Sequence, residues 1–144
     1  MSTRVPPTAQ IGAMLEALWN GDAVLKSLLS GGVYPDLVPQ GKSLPAMVYA
    51  FGDQQPLRSL GKTMVGWTVD FVVVGIDDGL TKARDGVLRG GERLVTLLDE
   101  QRPTVEGWRI VKLMLTRALS QSEDRDGKLY RRAGGMFRAW LEPA

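Results

Sequence analysis

The run from Met64 to Ile76, MVGWTVDFVVVGI, constrains the fold more than any other segment. It is rich in β-branched and aromatic residues, which suit a pleated strand better than a helix. Side chains alternate between the two faces of a strand. Val65, Trp67, Val69, Phe71 and Val73 therefore share one face. Met64, Val72 and Val74 share the other with Thr68 and Asp70. A strand apolar on both faces needs cover on both sides.

The rest of the chain supplies cover for one. After Pro6 and Pro7, Ile11, Met14, Leu15, Leu18 and Trp19 recur at helical spacing, with Thr8 as a candidate N-cap. Asn20-Gly21-Asp22 interrupts that pattern, and Val24, Leu25, Leu28 and Leu29 resume it until Gly31-Gly32. Two short helices, or one kinked helix, are expected over about residues 8–30. Prolines and glycines forbid a helix over residues 31–45. Ala46–Phe51 reads as a short strand and Gly52–Lys62 as a polar connection, mobile in the free protein.

Asp77-Asp78-Gly79 is a turn, and Asp78 is a candidate cap for the next helix. Leu80, Ala83, Val87, Leu94 and Leu98 lie on one face of that helix, with Gly91 in the same stripe. Asp85, Arg89 and Arg93 lie on the outer side at i, i+4 spacing. Gly91 implies either close approach to a sheet or a break in the helix. Trp108–Leu119 and Lys128–Leu141 are two further strands, joined through the Asp126-Gly127 turn. Gly134-Gly135 suggests a bulge or bend. The expected fold is α+β, in the order α-β-β-α-β-β. It is a mainly antiparallel four-stranded sheet with helices on one face, forming one domain over residues 1–144.

Such a sheet leaves its second face open. Val111, Leu113 and Leu115 are assigned to the helices, as are Phe137, Ala139 and Leu141. Trp108, Ile110, Met114, Tyr130, Arg132, Met136, Arg138 and Trp140 then fall on the open face. Large apolar patches of this kind mark interaction sites, and Trp, Tyr, Met and Arg are enriched at interfaces. The alternative is that the first helix or a folded-back loop covers this face.

Composition removes most catalytic classes. The chain has no Cys and no His. That excludes disulfides, thiolate zinc, a cysteine nucleophile and the Ser-His-Asp triad. Gly61-Lys62-Thr63 resembles the end of a phosphate-binding loop, but Pro56 stands where that motif needs its first Gly, and a strand follows instead of a helix. The acidic turns at 77–79 and 123–127 lack the ligand spread of a calcium loop. Arg131 and Arg132 point to opposite faces of the last strand, which suits edge protection or bridging between partners. Net charge is +2; residues 101–144 carry nine basic and five acidic side chains, a mild basic bias. No secretory leader and no run long enough to cross a bilayer are seen, so a protein folded in a cytoplasm and free of membrane is expected.

Val33-Tyr34-Pro35-Asp36, Val38-Pro39-Gln40-Gly41 and Leu44-Pro45 before a short strand resemble the tail-terminator, or tail-completion, proteins of long-tailed phages and gene transfer agents. Lys128-Leu129-Tyr130-Arg131-Arg132 resembles their Tyr-Arg-rich closing strand. The resemblance runs through nearly the whole chain in order. It implies a structural virion protein with no catalytic residues, metal or cofactor. Such a protein forms a homo-oligomeric ring, usually of six subunits, at the head-proximal end of the tail. The ring caps the major tail tube protein, ends its polymerisation and meets the head connector or neck protein, with genomic DNA passing through the lumen. The open-face residues would then form the subunit or tube interface. Gln54, Gln55, Pro56, Arg58 and Lys62 would form a docking loop. The alternatives are a neck adaptor or stopper, and a small nucleic-acid-binding or enzymatic domain.

Overall fold

A computed structural model describes residues 5–58, 64–78 and 84–144. Its elements are α1 (Thr8–Gly21), α2 (Ala23–Leu28), β1 (Val33–Pro35), β2 (Ala46–Arg58), β3 (Met64–Asp77), α3 (Arg84–Leu98), β4 (Trp108–Arg125) and β5 (Lys128–Pro143). The architecture is α+β, with a five-stranded mixed sheet in the order β1-β2-β3-β5-β4. β1 runs parallel to β2, and every other pairing is antiparallel.

The sheet departs from the four-stranded expectation in two ways. β1 is an additional strand, too short for any alternation to show. β2 also continues well past Phe51. A register shift between Phe51 and Gln54 absorbs Gly52 and Asp53, and pairing with β3 then resumes from Gln54–Val69 to Arg58–Met64. Gln54, Gln55, Pro56 and Arg58 are therefore strand residues, not a mobile connection. They are polar because β1 pairs only with Met47–Tyr49, so the rest of β2 is a free edge. A proline is tolerated at such an edge. Lys62 lies outside the described residues, as do Gly61, Thr63, Gly79, Leu80 and Ala83.

The core sits between the sheet and the helices. Ile11, Met14 and Leu15 of α1, Leu25 of α2, and Leu94 and Leu98 of α3 pack on Met47, Tyr49, Trp67, Val69, Phe71 and Val73. Phe51, Phe71 and Phe137 form a row across three neighbouring strands, continued by Leu115 on β4. The Phe71 and Phe137 rings stack at 5.6 Å between centroids. Each buried ring contributes about 1.5–3 kcal/mol of transfer free energy. Tyr49 donates its hydroxyl to Glu16 at 3.1 Å. Burial and that carboxylate push its phenol up to about 12.

The helix break falls at Asp22. Its carboxylate accepts the Leu25 N–H at 2.8 Å and so caps α2. Thr8 does not cap α1; it is the first helical residue, after Pro7. Asp22 also receives Arg93 of α3, at 2.6 Å and 3.3 Å. One carboxylate thus ties α2 to α3, and Arg93 is not simply a solvated outer residue.

Two extra residues overturn parts of the face assignment. Val65, expected in the core, is 47% exposed. It is the surplus residue where Gly66 pairs with Leu57 and Met64 with Arg58. Val111, likewise assigned to the helices, is 41% exposed. The register shifts between Ile110 and Lys112, so Ile110 and Leu113 both point inward. One surplus residue moves every side chain beyond it to the other face. Trp108 and Ile110, expected on the open face, are consequently buried core residues.

β5 runs through Gly134 and Gly135 without a register break against β3. Close packing, not a bulge, explains the pair: a Cβ at Gly134 would run into the Val73 carbonyl oxygen, and one at Gly135 into the Leu115 side chain. α3 is unbroken at Gly91, where a Cβ would lie 2.6 Å from the Ala133 carbonyl carbon. Asp126 and Gly127 form the expected two-residue turn, both with positive φ.

Two outcomes follow for stability. Gly91→Ala gains up to about 1 kcal/mol of helix propensity but costs about 1–3 kcal/mol in overpacking. Urea denaturation should therefore show a net loss. The hydrogen bond from Arg93 holds the Asp22 carboxyl below its ordinary value of 3.8, against the opposing effect of desolvation. A lowered carboxyl pKa stabilises the fold above the ordinary carboxylate range, and that contribution is lost as pH falls through the folded value. Asp22→Asn keeps a cap but loses the pair. Its thermal midpoint should be lower near neutrality and fall less steeply than that of the natural chain below about pH 4.

Candidate assembly face

The sheet face turned away from the helices has two halves. At one end the segment from Asp36 to Leu44 folds across Val48, Val74 and Ile76. Val48 and Val74 are buried there, although they stand on the face opposite the core. Tyr130 and Arg132 line the remaining slot and are half-buried. The folded-back loop therefore covers part of this face.

The other half is open, and strand register sets it out as a grid. Thr68, Asp70 and Val72 of β3 stand opposite Trp140, Arg138 and Met136 of β5. Those in turn stand opposite Lys112, Met114 and Arg117 of β4. With Asp53 and Gln55 of β2, the end of this grid around Trp140 surrounds a shallow concavity of about 500 Å³. Trp140 is 46% exposed, and Met114 and Met136 are also exposed.

Arg138 is at the centre of the grid. Its Nε donates to Asp70 Oδ1 at 2.7 Å and its second nitrogen to Oδ2 at 3.1 Å. The hydrogen bond to Asp70 is the main reason the guanidinium is held above its ordinary pKa. An exposed pair of this kind adds little to stability. The two-pronged geometry instead fixes the guanidinium in the middle of the apolar patch.

Of the residues expected on the open face, Met114, Met136, Arg138 and Trp140 are brought together here. Tyr130 and Arg132 sit by the covering loop, and Trp108 and Ile110 are in the core. Gln55 joins the concavity from β2. Lys112, two residues before Met114 on the same alternation, also lies on this face; as a lone lysine it carried no apolar or aromatic signal. The covering role of residues 36–44 has only a weak signal, the apolar Leu37, Val38 and Leu44 among turn residues. Among the described residues no group of three or more acidic, His or Cys side chains is placed to hold a metal. Aromatic, Met and Arg side chains around a fixed charge pair make a surface suited to protein contact.

The exposure of Trp140 predicts a fluorescence signature. Trp67 and Trp108 are buried, and Trp19 donates its indole N–H to the Leu29 carbonyl. Iodide should quench mainly Trp140, and Trp140→Phe should remove most of the quenchable emission without changing the circular dichroism spectrum.

No family model matches the chain, and no curated protein matches it. Among solved structures, a chain from "Virion of native gene transfer agent (GTA) particle" is similar, with a TM-score of 0.65 and 23% identity over 91% of this chain and 93% of that one. The protein shares that virion chain's fold over nearly the whole length of both.

Proposed function

We propose that the protein is a structural component of a phage-like or gene-transfer-agent virion, and that it terminates the tail. The observation that carries this reading is the fold shared with a gene transfer agent virion chain over 91% of the sequence. The tail-terminator resemblance of residues 33–48 and 128–132 supplies the finer assignment. In this reading the chain forms a ring, six-membered as in the family, that caps the tail tube and presents a surface to the head connector or neck protein. DNA passes through the lumen.

The half-open sheet face suits such a role. A closed ring needs each subunit to offer one patch to a different patch on its neighbour or on the tube. Trp140, Met114 and Met136 supply apolar area, worth about 25 cal/mol per Å² before the costs of association. The Arg138–Asp70 pair supplies a fixed polar centre. Trp108 and Ile110 take no part, since they are core.

Particles from a producer lacking this gene test the proposal by electron microscopy. Full heads and separate tails of abnormal length are expected. Trp140→Asp, which alters an exposed residue, should reproduce that phenotype with a folded protein. Normal tails joined to heads would sink the terminator reading. Normal-length tails left unjoined would reassign the protein to a neck adaptor.

A further inference from the structure

β4 is the last strand of the sheet, with a neighbour on one side only. The chain seals part of its free edge. Glu100 donates its N–H to the Leu113 carbonyl at 2.9 Å, and the Asp99 carboxylate accepts the Leu115 N–H at 2.8 Å. Beyond the surplus residue at Thr116, β4 continues from Arg117 to Arg125 with no such cover among the described residues. The other free edge, on β2, is guarded by a register break, Pro56 and Arg58. Stretch 117–122 of β4, RALSQS, contains no proline and a single charge. Unguarded edges of this length pair with other strands.

Strand alternation identifies the pairing groups. Leu113 and Leu115 turn their backbone groups to the free side, so Phe137, opposite Leu115, turns its own toward β3. Met136 then faces β4, where it meets Arg117. Ala118, Ser120 and Ser122 are left with outward N–H and C=O groups. A trough of about 500 Å³ runs beside them, lined by Leu88, Gly91, Val95, Leu115, Ala118 and Ala133.

We infer that this edge binds the same edge of a second copy, antiparallel, about a two-fold axis at Ser120. A two-fold perpendicular to the sheet keeps the helices of both copies on one side. It pairs Ser120 with Ser120 and Ala118 with Ser122, outward groups in every case. It also sets Arg117 of each copy opposite Glu123 of the other. Of the two neighbouring registers, one sets Arg117 opposite Arg125, like charges directly opposed, and the other sets it opposite Gln121, with no charge pair. The edge is thus self-complementary in charge, direction and hydrogen-bonding phase. The two β5 strands stand three strand spacings apart, about 14 Å. The α3 helices above them can therefore close the troughs from both sides with Leu88 and Val95. This dimer is the resting form of the free chain and does not depend on where the protein docks in a virion.

Sedimentation of the full chain tests it. A dimer is expected, with exchange protection of the amides at 118, 120 and 122 rising with concentration. Ser120→Pro removes an outward N–H and no bond within the subunit; it should weaken the dimer at least about tenfold with unchanged circular dichroism. Arg117→Glu should also weaken it, and adding Glu123→Arg should restore it. Should Ser120→Pro fail to fold, Ser120→Cys gives an independent reading. The chain has no other cysteine, and directly paired Cα atoms about 5.5 Å apart are within disulfide reach. Oxidation should then link two chains. A monomer at about 1 mM, a dimer unaffected by Ser120→Pro, or no disulfide-linked dimer would each overturn the inference. Tail capping is read on particles, so its failure is a separate result.

Discussion

The approach of α3 to β5 at Gly91 and Ala133 sets the geometry on which the rest of the structure depends. A helix crossing a sheet through side chains alone stands about 10 Å from it; two small residues in contact bring it closer. With α3 held over β5, the row of Phe51, Phe71 and Phe137 is closed on its helix side. The same placement leaves α3 short of β4 and opens the trough beside Leu115 and Ala118. Asp22 then has α3 within reach, and its pair with Arg93 joins the helices laterally. Core, groove and helix contacts all follow from one intolerance of side-chain bulk.

The opposite face obeys a different constraint. Among the described residues the three helices lie on one side, so cover on the other comes from a loop or from another molecule. The segment 36–44 reaches only Val48, Val74 and Ile76. What remains is a patch with large side chains around an ion pair whose own geometry is satisfied. Covering this surface desolvates both ions of the Asp70–Arg138 pair, a cost that their two-pronged hydrogen bonding offsets only in part. The apolar area around the pair favours contact, while the pair itself demands a partner that matches its polar groups.

Much of this was legible in the sequence. The alternation in β3 gave the core face from Trp67 to Val73, the Asp-Gly turn gave the β4–β5 hairpin, and Gly91 announced a close approach. The misreadings share a cause. Periodicity arguments assume an unbroken phase, and β2, β3 and β4 each carry a surplus residue or a shift. Beyond such a point the pattern remains regular but refers to the other face. Trp108 and Ile110 were misplaced in this way. The polar half of β2 failed for a second reason: an edge strand needs no apolar alternation, so nothing distinguished it from a loop. β1 was simply too short to leave a pattern.

Val111 shows what such a residue does over evolutionary time. Its side chain is exposed and bears little of the fold, so the position tolerates many residue types. The position is free in number as well. Without Val111, Ile110 would follow straight on to Lys112 in plain alternation, with Trp108 and Ile110 still inward and Arg109 and Lys112 still outward. A gain or loss of one residue at a regularly paired position lacks this outlet, because it moves the side chains beyond it to the other face. Length changes along β4 are therefore expected to gather at Val111 and to avoid the regularly paired stretches.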